Sequence, residues 1–129
     1  MGLLMDPRRS ERLAETLRVE LEELINYELD DPRVSTVAVT EVLLSPDGKK
    51  AHVRIAIEGN PDRQKECLQA IEKAKGYLRV QLADRVDVFR MPDIRFDTDL
   101  PAGLRERAGE LLKRIRRGRP RDGGAAGEA

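Results

Sequence analysis

A group of cationic side chains near the middle of the chain has the composition of an anion-binding site. Lys73, Lys75 and Arg79 surround two small residues, Ala74 and Gly76. Glycine lets another backbone come close, and the three cations supply full positive charges. We therefore predict that a nucleic-acid phosphate binds through Lys73, Lys75 and Arg79, with Ala74 and Gly76 permitting its approach.

Two predicted helices meet at this group. The pattern predicts one helix over residues 63–73 and another over residues 77–86, with residues 74–76 as a hinge at which glycine ends the first helix. The second helix then begins with free N–H groups and a partial positive charge, which favour a bound anion. The alternative is an ordinary glycine-terminated helix whose lysines are solvated.

Other cations are weaker candidates for nucleic-acid contacts. Three lie beyond the hinge and fit a solvated face equally well: Arg85, Arg90 and Arg95. A second group opens the acid-free run of residues 113–121 and fits either a flexible arm that binds nucleic acid or a solubilising tail: Lys113, Arg114, Arg116 and Arg117. Because acids crowd residues 6–31, we expect one acidic side and one basic side.

Length and composition indicate a single domain. The 129 residues carry 24 basic and 24 acidic side chains and one cysteine, Cys67, which we assign to the core. We expect one domain over residues 1–116, its first five or so residues flexible, and a disordered tail over residues 117–129 that is basic and then rich in Gly and Ala. Because no apolar run approaches a membrane span, we expect a cytoplasmic protein without a membrane partner. We also expect a monomer.

Catalytic and metal-binding patterns are weak. His52 is the one histidine and lies within a predicted strand, so neither a histidine-centred triad nor a two-histidine metal site is available. Asp97 and Asp99 have the spacing of turn and cap residues. We therefore predict no enzyme activity, cofactor or metal. With two Phe, two Tyr and no Trp, recognition of RNA by backbone and shape suits the chain better than base stacking.

The order of predicted elements defines an α+β fold. Asp6-Pro7 and Asn60-Pro61 start helices. The outer face of the first helix is expected to carry largely Arg12, Arg18, Glu22 and Glu23. Residues 35–45 and 50–58 form an antiparallel hairpin around the turn at residues 45–49. Residues 93–97 form a third strand, and an apolar stripe from Leu104 to Ile115 marks a last helix. We expect two layers, with helices covering one face of a three-stranded sheet and the other face largely wet.

This order, with small residues between the second and third helices, resembles a type II KH domain. Four segments resemble the ribosome-binding factor A family in order and spacing: Asp31-Pro32-Arg33-Val34, Ser45-Pro46-Asp47, Ala74-Lys75-Gly76-Tyr77-Leu78-Arg79 and Met91-Pro92-Asp93-Ile94-Arg95-Phe96. In that family Ala-x-Gly stands where other KH domains carry the longer Gly-x-x-Gly loop. The match spans residues 10–115, although Gly48-Lys49-Lys50 makes the hairpin loop longer and more basic than expected.

The resemblance implies a non-catalytic assembly factor of the small ribosomal subunit. Such a factor binds the immature subunit and its ribosomal RNA and assists late RNA processing. It is associated with growth in the cold, and a GTPase aids its release. Two other interpretations stay open: a KH-like module with another RNA target, and a small α+β domain that binds a protein partner.

Overall fold

The elements follow the predicted order. The structure is a computed structural model that describes residues 4–88 and 90–118. Its elements are α1 (Pro7–Glu23) with a π-helical turn (Leu24–Glu28), β1 (Val37–Leu44), β2 (Lys50–Ile57), α2 (Pro61–Lys73), α3 (Lys75–Arg85), β3 (Asp93–Asp97) and α4 (Ala102–Gly118). The predicted α+β class and the extra C-terminal helix are confirmed.

Side-chain caps start two of the helices as predicted. The Asp6 carboxylate accepts from the Arg8 N–H at 3.1 Å, and the Asn60 side chain accepts from the Arg63 N–H at 2.8 Å. A proline follows each cap at the first helical position, where its missing N–H costs nothing. These local interactions explain why both helix starts were readable from the sequence.

The three strands form a mixed sheet in the order β1-β2-β3. β1 and β2 are antiparallel around the predicted turn. β3 lies parallel to β2, with Asp93 opposite Lys50 and Asp97 opposite Arg54. Parallel neighbours need a long crossover, which α2 and α3 supply. The third strand therefore lies at the opposite edge of the sheet from β1.

A register irregularity in β1 changes which side chains face the core. Strict alternation would place Val37, Val39 and Leu43 on one face, but the pairing shifts between Val39 and Glu41. Such a bulge turns the following side chains to the other face. Val42 therefore joins Val37 and Val39 in the main core, while Leu43 is 42% exposed.

The main core lies between one face of the sheet and the helices α1, α2 and α3. Its fully buried side chains include Leu21, Ile55, Ile71 and Leu82. Cys67 is also buried there, as predicted. Desolvation raises the pKa of its thiol. In the part of the chain that the structure describes, no helix combines the length and apolar character needed to cross a bilayer.

The second face of the sheet is partly covered, which corrects the expectation of a largely wet surface. The apolar stripe of α4 packs there on Ala38 and Ala56, which lie opposite each other in β1 and β2. Small alanine side chains on the sheet let the helix approach closely. α4 therefore adds a layer on the side of the sheet opposite α2 and α3.

Polar side chains of α1 and its π-helical turn bind the free edge of β1. Asn26 exchanges hydrogen bonds with the N–H and C=O of Val37, at 2.9 and 2.7 Å. Glu22 accepts from the Val39 N–H at 2.9 Å, and Arg18 donates to the Val39 carbonyl at 3.3 Å. The prediction that Arg18 and Glu22 lie on the outer face was wrong, because these side chains satisfy the edge that β1 leaves unpaired.

The chain just before α1 is attached to the hairpin loop. The Met5 N–H donates to the Pro46 carbonyl at 2.9 Å. Residues 1–3 lie outside the described residues, and the flexibility expected for the first five or so residues stays a prediction. At the other end, α4 continues through Gly118, two residues past the predicted domain boundary. Residues 119–129 of the predicted tail lie outside the described residues.

Candidate nucleic-acid interface

A single residue separates α2 from α3. Ala74 has φ −89° and ψ 7°, and Lys75 and Gly76 already belong to α3. The prediction of a three-residue hinge ended by glycine was wrong. We keep the name hinge for Ala74 and the residues around it: Lys73, Lys75, Gly76 and Arg79. Among the described residues, positive φ occurs at Gly48 and Gly59 and not at Gly76. The bridge-region angles at Ala74 are open to most residues, so the break needs no glycine.

The start of α3 is open to a ligand. No side chain caps this helix, so its first N–H groups have no side-chain acceptor. Gly76 is exposed, and a Cβ built there would meet nothing within 4 Å. Glycine is therefore not required here by packing within the chain, but it leaves the helix start accessible to an anion.

Lys75 is held close to β3. Its Nζ lies 2.9 Å from the Glu72 carboxylate and 5.9 Å from the centroid of the Phe96 ring. Lys73 is exposed at the end of α2. The pKa of Asp31 is lowered chiefly by hydrogen bonds from Arg33, and the charge of Lys73 contributes. The two lysines thus extend positive charge to both sides of Ala74.

Arg79 connects α3 to the chain that enters β3. Its guanidinium donates to the Met91 carbonyl at 2.9 Å and to the Pro92 carbonyl at 3.3 Å. It also lies 3.7 Å from the Asp93 carboxylate. The side chain remains 38% exposed. Arg79 therefore has a structural role in addition to the predicted phosphate contact.

The three weaker candidates do not join the hinge. Arg85, at the far end of α3, forms ion pairs with Glu20 at 3.3 Å and Glu28 at 3.7 Å. Arg90 is exposed in the connection between α3 and β3. Arg95 is exposed on β3, between the buried Ile94 and Phe96, so it projects from the sheet face opposite the main core.

The second basic group lies on α4, on the other side of the sheet from the hinge. Lys113 and Arg114 are exposed, and Arg116 forms an ion pair with Glu58. The expectation of a flexible arm was wrong for these residues, because the apolar stripe holds α4 on the sheet. Arg117 belongs to the helix, but its side chain lies outside the described part.

The sites considered for catalysis are occupied by structural contacts. His52 Nε2 lies 2.9 Å from Asp97 Oδ2. The pKa of Asp97 is lowered first by the hydrogen bond from the Asp99 N–H and then by His52. The predicted turn role of Asp97 is thereby confirmed, at a distance of 2.8 Å. Across residues 4–88 and 90–118, no three His, Cys, Asp or Glu side chains are grouped to hold a metal.

Sequence reasoning missed one group of cations. Arg9, Arg12 and Lys49 are exposed and line the same cleft as Arg90. They are far apart in sequence, so no local spacing indicated their proximity. The basic hairpin loop was the one available signal.

The helix order, the mixed sheet and the short α2–α3 junction define a KH-like α+β domain. In it, one alanine replaces the usual loop between the central helices. The family model for ribosome-binding factor A matches residues 9–112, which include this junction and all three strands. The chain belongs to the ribosome-binding factor A family, and the predicted resemblance is confirmed.

Individual relatives agree with this assignment. Ribosome-binding factor A of Solibacter usitatus is 42% identical over 118 residues, covering 92% of this chain and 96% of the relative. The crystal structure of ribosome-binding factor A from Thermus thermophilus has a TM-score of 0.61 at 30% identity, covering 69% of this chain and 94% of that one. A homology model of the Thermus thermophilus factor, fitted into the cryo-EM map of a 30S–RbfA complex, has a TM-score of 0.55 at 31% identity and covers 65% of this chain and 88% of that one.

Proposed function

We propose that this protein is an assembly factor of the small ribosomal subunit. It binds immature subunits and their ribosomal RNA, assists late RNA processing and maturation, and catalyses no reaction. The observation that carries the proposal is the family match over residues 9–112. The likeness to a protein fitted into a 30S complex supports the subunit as the target.

The hinge supplies a physical route to RNA. An uncapped helix start favours phosphate because its first N–H groups lack side-chain acceptors and carry a partial positive charge. Lys73 and Lys75 add positive charge on either side of Ala74, although Lys75 also pairs with Glu72, and Gly76 leaves room for close approach. Phosphate contacts of this kind position a protein on RNA without reading its sequence.

α4 supplies a second contact in this proposal. Lys113 and Arg114 lie on the opposite side of the sheet from the hinge, so the protein presents positive charge on two surfaces. We expect deletion after Ile115 to leave the KH-like domain folded and to weaken subunit binding. Arg116 and its ion pair with Glu58 are lost in this deletion. A second truncation after Gly118 therefore isolates residues 119–129. Unchanged affinity of both truncations at moderate salt would remove the end of the chain from the mechanism.

Family membership supports three further parts of the proposal. The factor acts as a monomer in the cytoplasm, leaves the subunit with the aid of a ribosome-associated GTPase, and supports growth in the cold. These parts rest on family membership alone and not on the geometry of the hinge.

Cosedimentation across a salt series tests the proposal. Wild type should pellet with free small subunits, and precursor subunits should bind more tightly than mature ones. Loss of charge in Lys73→Gln/Lys75→Gln should weaken binding. Five phosphate contacts would give a slope of roughly −3.5 when the logarithm of the binding constant is plotted against the logarithm of the salt concentration. The magnitude of this slope decreases by about 0.7 for each contact removed.

Lys65→Gln is the matched control, since Lys65 is an exposed lysine of α2 that lies outside the hinge. Equal binding by the hinge variant and this control would move the RNA contact away from the hinge. Absence of wild-type binding to any small subunit would contradict the proposed function. Equal affinity for unrelated structured RNA would favour a general KH-like RNA-binding module.

A further inference from the structure

A cleft of about 640 Å³ lies at the end of α3 remote from the hinge. Three segments contribute to its walls: the chain around the start of α1 (Leu4 to Thr16), the hairpin loop (Asp47 to Lys49), and the chain after α3 (Val86 to Val88, with Arg90). We call it the basic cleft. At 1.5 Å per residue, the 11 residues of α3 separate it from the hinge by about 16 Å.

A specific backbone arrangement builds one wall of the basic cleft. Met5 is held on the hairpin loop by its hydrogen bond to the Pro46 carbonyl, at 2.9 Å. Gly48 has φ +73°, and a Cβ there would lie 2.5 Å from the Met5 sulfur. Only glycine combines this left-handed backbone with such close packing. The wall is therefore a defined contact between the N-terminal segment and the hairpin.

Four cations line the basic cleft: Arg9, Arg12, Lys49 and Arg90. Within the residues that the structure describes, none of their side chains forms an ion pair or a hydrogen bond. The hinge differs, because Lys75 pairs with Glu72 and Arg79 bonds to backbone carbonyls. The cleft cations can therefore bind a ligand without first breaking an internal contact.

The carboxylates in the basic cleft are fewer, and two of the three already accept hydrogen bonds. Asp6 caps α1 through the Arg8 N–H. Asp47 accepts from the Lys49 N–H and from the Ser45 hydroxyl, and these hydrogen bonds lower its pKa. Asp87 is the third carboxylate and is exposed. The excess charge of the lining is positive, so an anionic ligand fits it best.

An apolar floor lies between these charges. Val86 is buried, and Leu13 and Val88 are half-buried against the main core. A ligand that consisted only of charged groups would leave these apolar side chains in contact with water. A nucleotide segment matches both parts, because its phosphates suit the cations and the flat face of a base suits the apolar side chains.

We propose that the basic cleft binds a single-stranded segment of RNA, with phosphates on Arg9, Arg12, Lys49 and Arg90 and one base against Leu13, Val86 and Val88. The assignment deepens the proposed function and rests on it. It also gives the basic hairpin loop a role, although that loop departs from the family pattern. The hinge and the basic cleft then hold RNA at the two ends of α3.

Binding of a short single-stranded RNA of mixed sequence to the full-length protein tests this proposal. Arg12→Gln/Arg90→Gln removes two cations from different walls. We expect affinity to fall about tenfold and the magnitude of the log–log salt slope to fall by about 1.4, for two lost phosphate contacts. Lys65→Gln should bind as wild type does. A double variant that matches wild type in both affinity and slope overturns the proposal.

A photoreactive residue at the exposed Thr16, which lines the basic cleft, separates RNA from protein as the occupant. In complexes with small subunits, a crosslink to ribosomal RNA supports the proposal. A crosslink to a ribosomal protein alone overturns it in favour of a protein contact. If wild type does not pellet with subunits, the proposed function is contradicted. Binding of the short single-stranded RNA by the wild type and the double variant still tests whether the basic cleft binds RNA.

Discussion

Replacing Asn26 with alanine is expected to destabilise the protein more than most substitutions. Asn26 is 4% exposed and donates to the Val37 carbonyl at 2.7 Å. Its side-chain oxygen accepts from the Val37 N–H at 2.9 Å. The Val37 N–H and C=O lie at the edge of β1, where no neighbouring strand can replace these bonds. The variant removes the side-chain partner of two buried backbone groups at once.

The magnitude follows from the cost of burying unpaired polar groups. Each such group costs about 1–3 kcal/mol, so two give about 2–6 kcal/mol. Entry of water at the sheet edge would lower the sum, and we expect about 2–4 kcal/mol. For a domain of this size each kcal/mol lowers Tm by roughly 3–5 °C, which gives a fall of at least roughly 6 °C.

Urea and thermal unfolding followed by circular dichroism measure this effect. Glu23→Ala serves as the control, because Glu23 is exposed at the last position of α1, three residues before Asn26, and should change stability by less than about 0.5 kcal/mol. Asn26→Asp retains the acceptor for the Val37 N–H but places a carboxylate against the Val37 carbonyl, so it should also destabilise. A loss below about 0.5 kcal/mol for Asn26→Ala would refute the assigned role of these bonds.

Three further changes test individual contacts. Gly76→Ala should raise the free energy of unfolding by up to about 1 kcal/mol in urea titrations, because the residue is helical and exposed. It should also weaken RNA binding, because the added methyl group obstructs the start of α3. Arg79→Ala should cost about 1–2 kcal/mol in the same assay through the lost bonds to Met91 and Pro92. The pKa of Asp97 is lowered from its ordinary 3.8, so the ionised carboxylate contributes its full stability above that pH and loses it as the pH falls further. Asp97→Asn should remove this pH-dependent contribution from acid-unfolding curves.

Each of these three predictions has an outcome that would contradict it. Reduced stability of Gly76→Ala would mean that the start of α3 needs glycine for its backbone. Full recovery of stability by Arg79→Lys would count against the two-carbonyl contact, since lysine lacks the planar fork of arginine. An acid-unfolding curve of Asp97→Asn that parallels wild type below pH 3.8 would show that this carboxylate contributes no pH-dependent stability.

Features set by neighbouring residues were predictable from the sequence. The cap-and-proline pairs at Asp6 and Asn60, the turn at residues 45–49 and the strand at residues 93–97 all depend on local chemistry, and all were confirmed. The apolar stripe of α4 was also correct, because its period reports a helix with one buried face.

Features set by tertiary contacts were not predictable. The irregularity at Val39/Glu41 depends on how β1 fits β2, and strict alternation hides it. The roles of Arg18, Glu22 and Asn26 follow from β1 being an edge strand beside α1. A periodic stripe also cannot say which sheet face a helix covers. The placement of α4 was therefore missed.

The candidate site was predicted in part. The three hinge cations were identified from their spacing, and two of them lie along β3, but the internal contacts of Lys75 and Arg79 require the fold. The prediction that they bind RNA remains to be tested. Arg90 was predicted from the sequence. Its neighbours in the basic cleft, Arg9, Arg12 and Lys49, come from other elements and were not predicted.

Directed cleavage of ribosomal RNA from a chelated iron on the protein tests the central claim most directly. Val80→Cys places the probe at the middle of α3, about one helical turn beyond Gly76, on a side chain that is 62% exposed. Cys67 is buried, so it should not take up the probe. Lys65→Cys places a control probe on the exposed face of α2. We predict strong, localised cleavage of small-subunit RNA from position 80 in bound complexes and weaker cleavage from position 65. Binding at wild-type affinity without cleavage from position 80 would contradict an RNA-facing hinge.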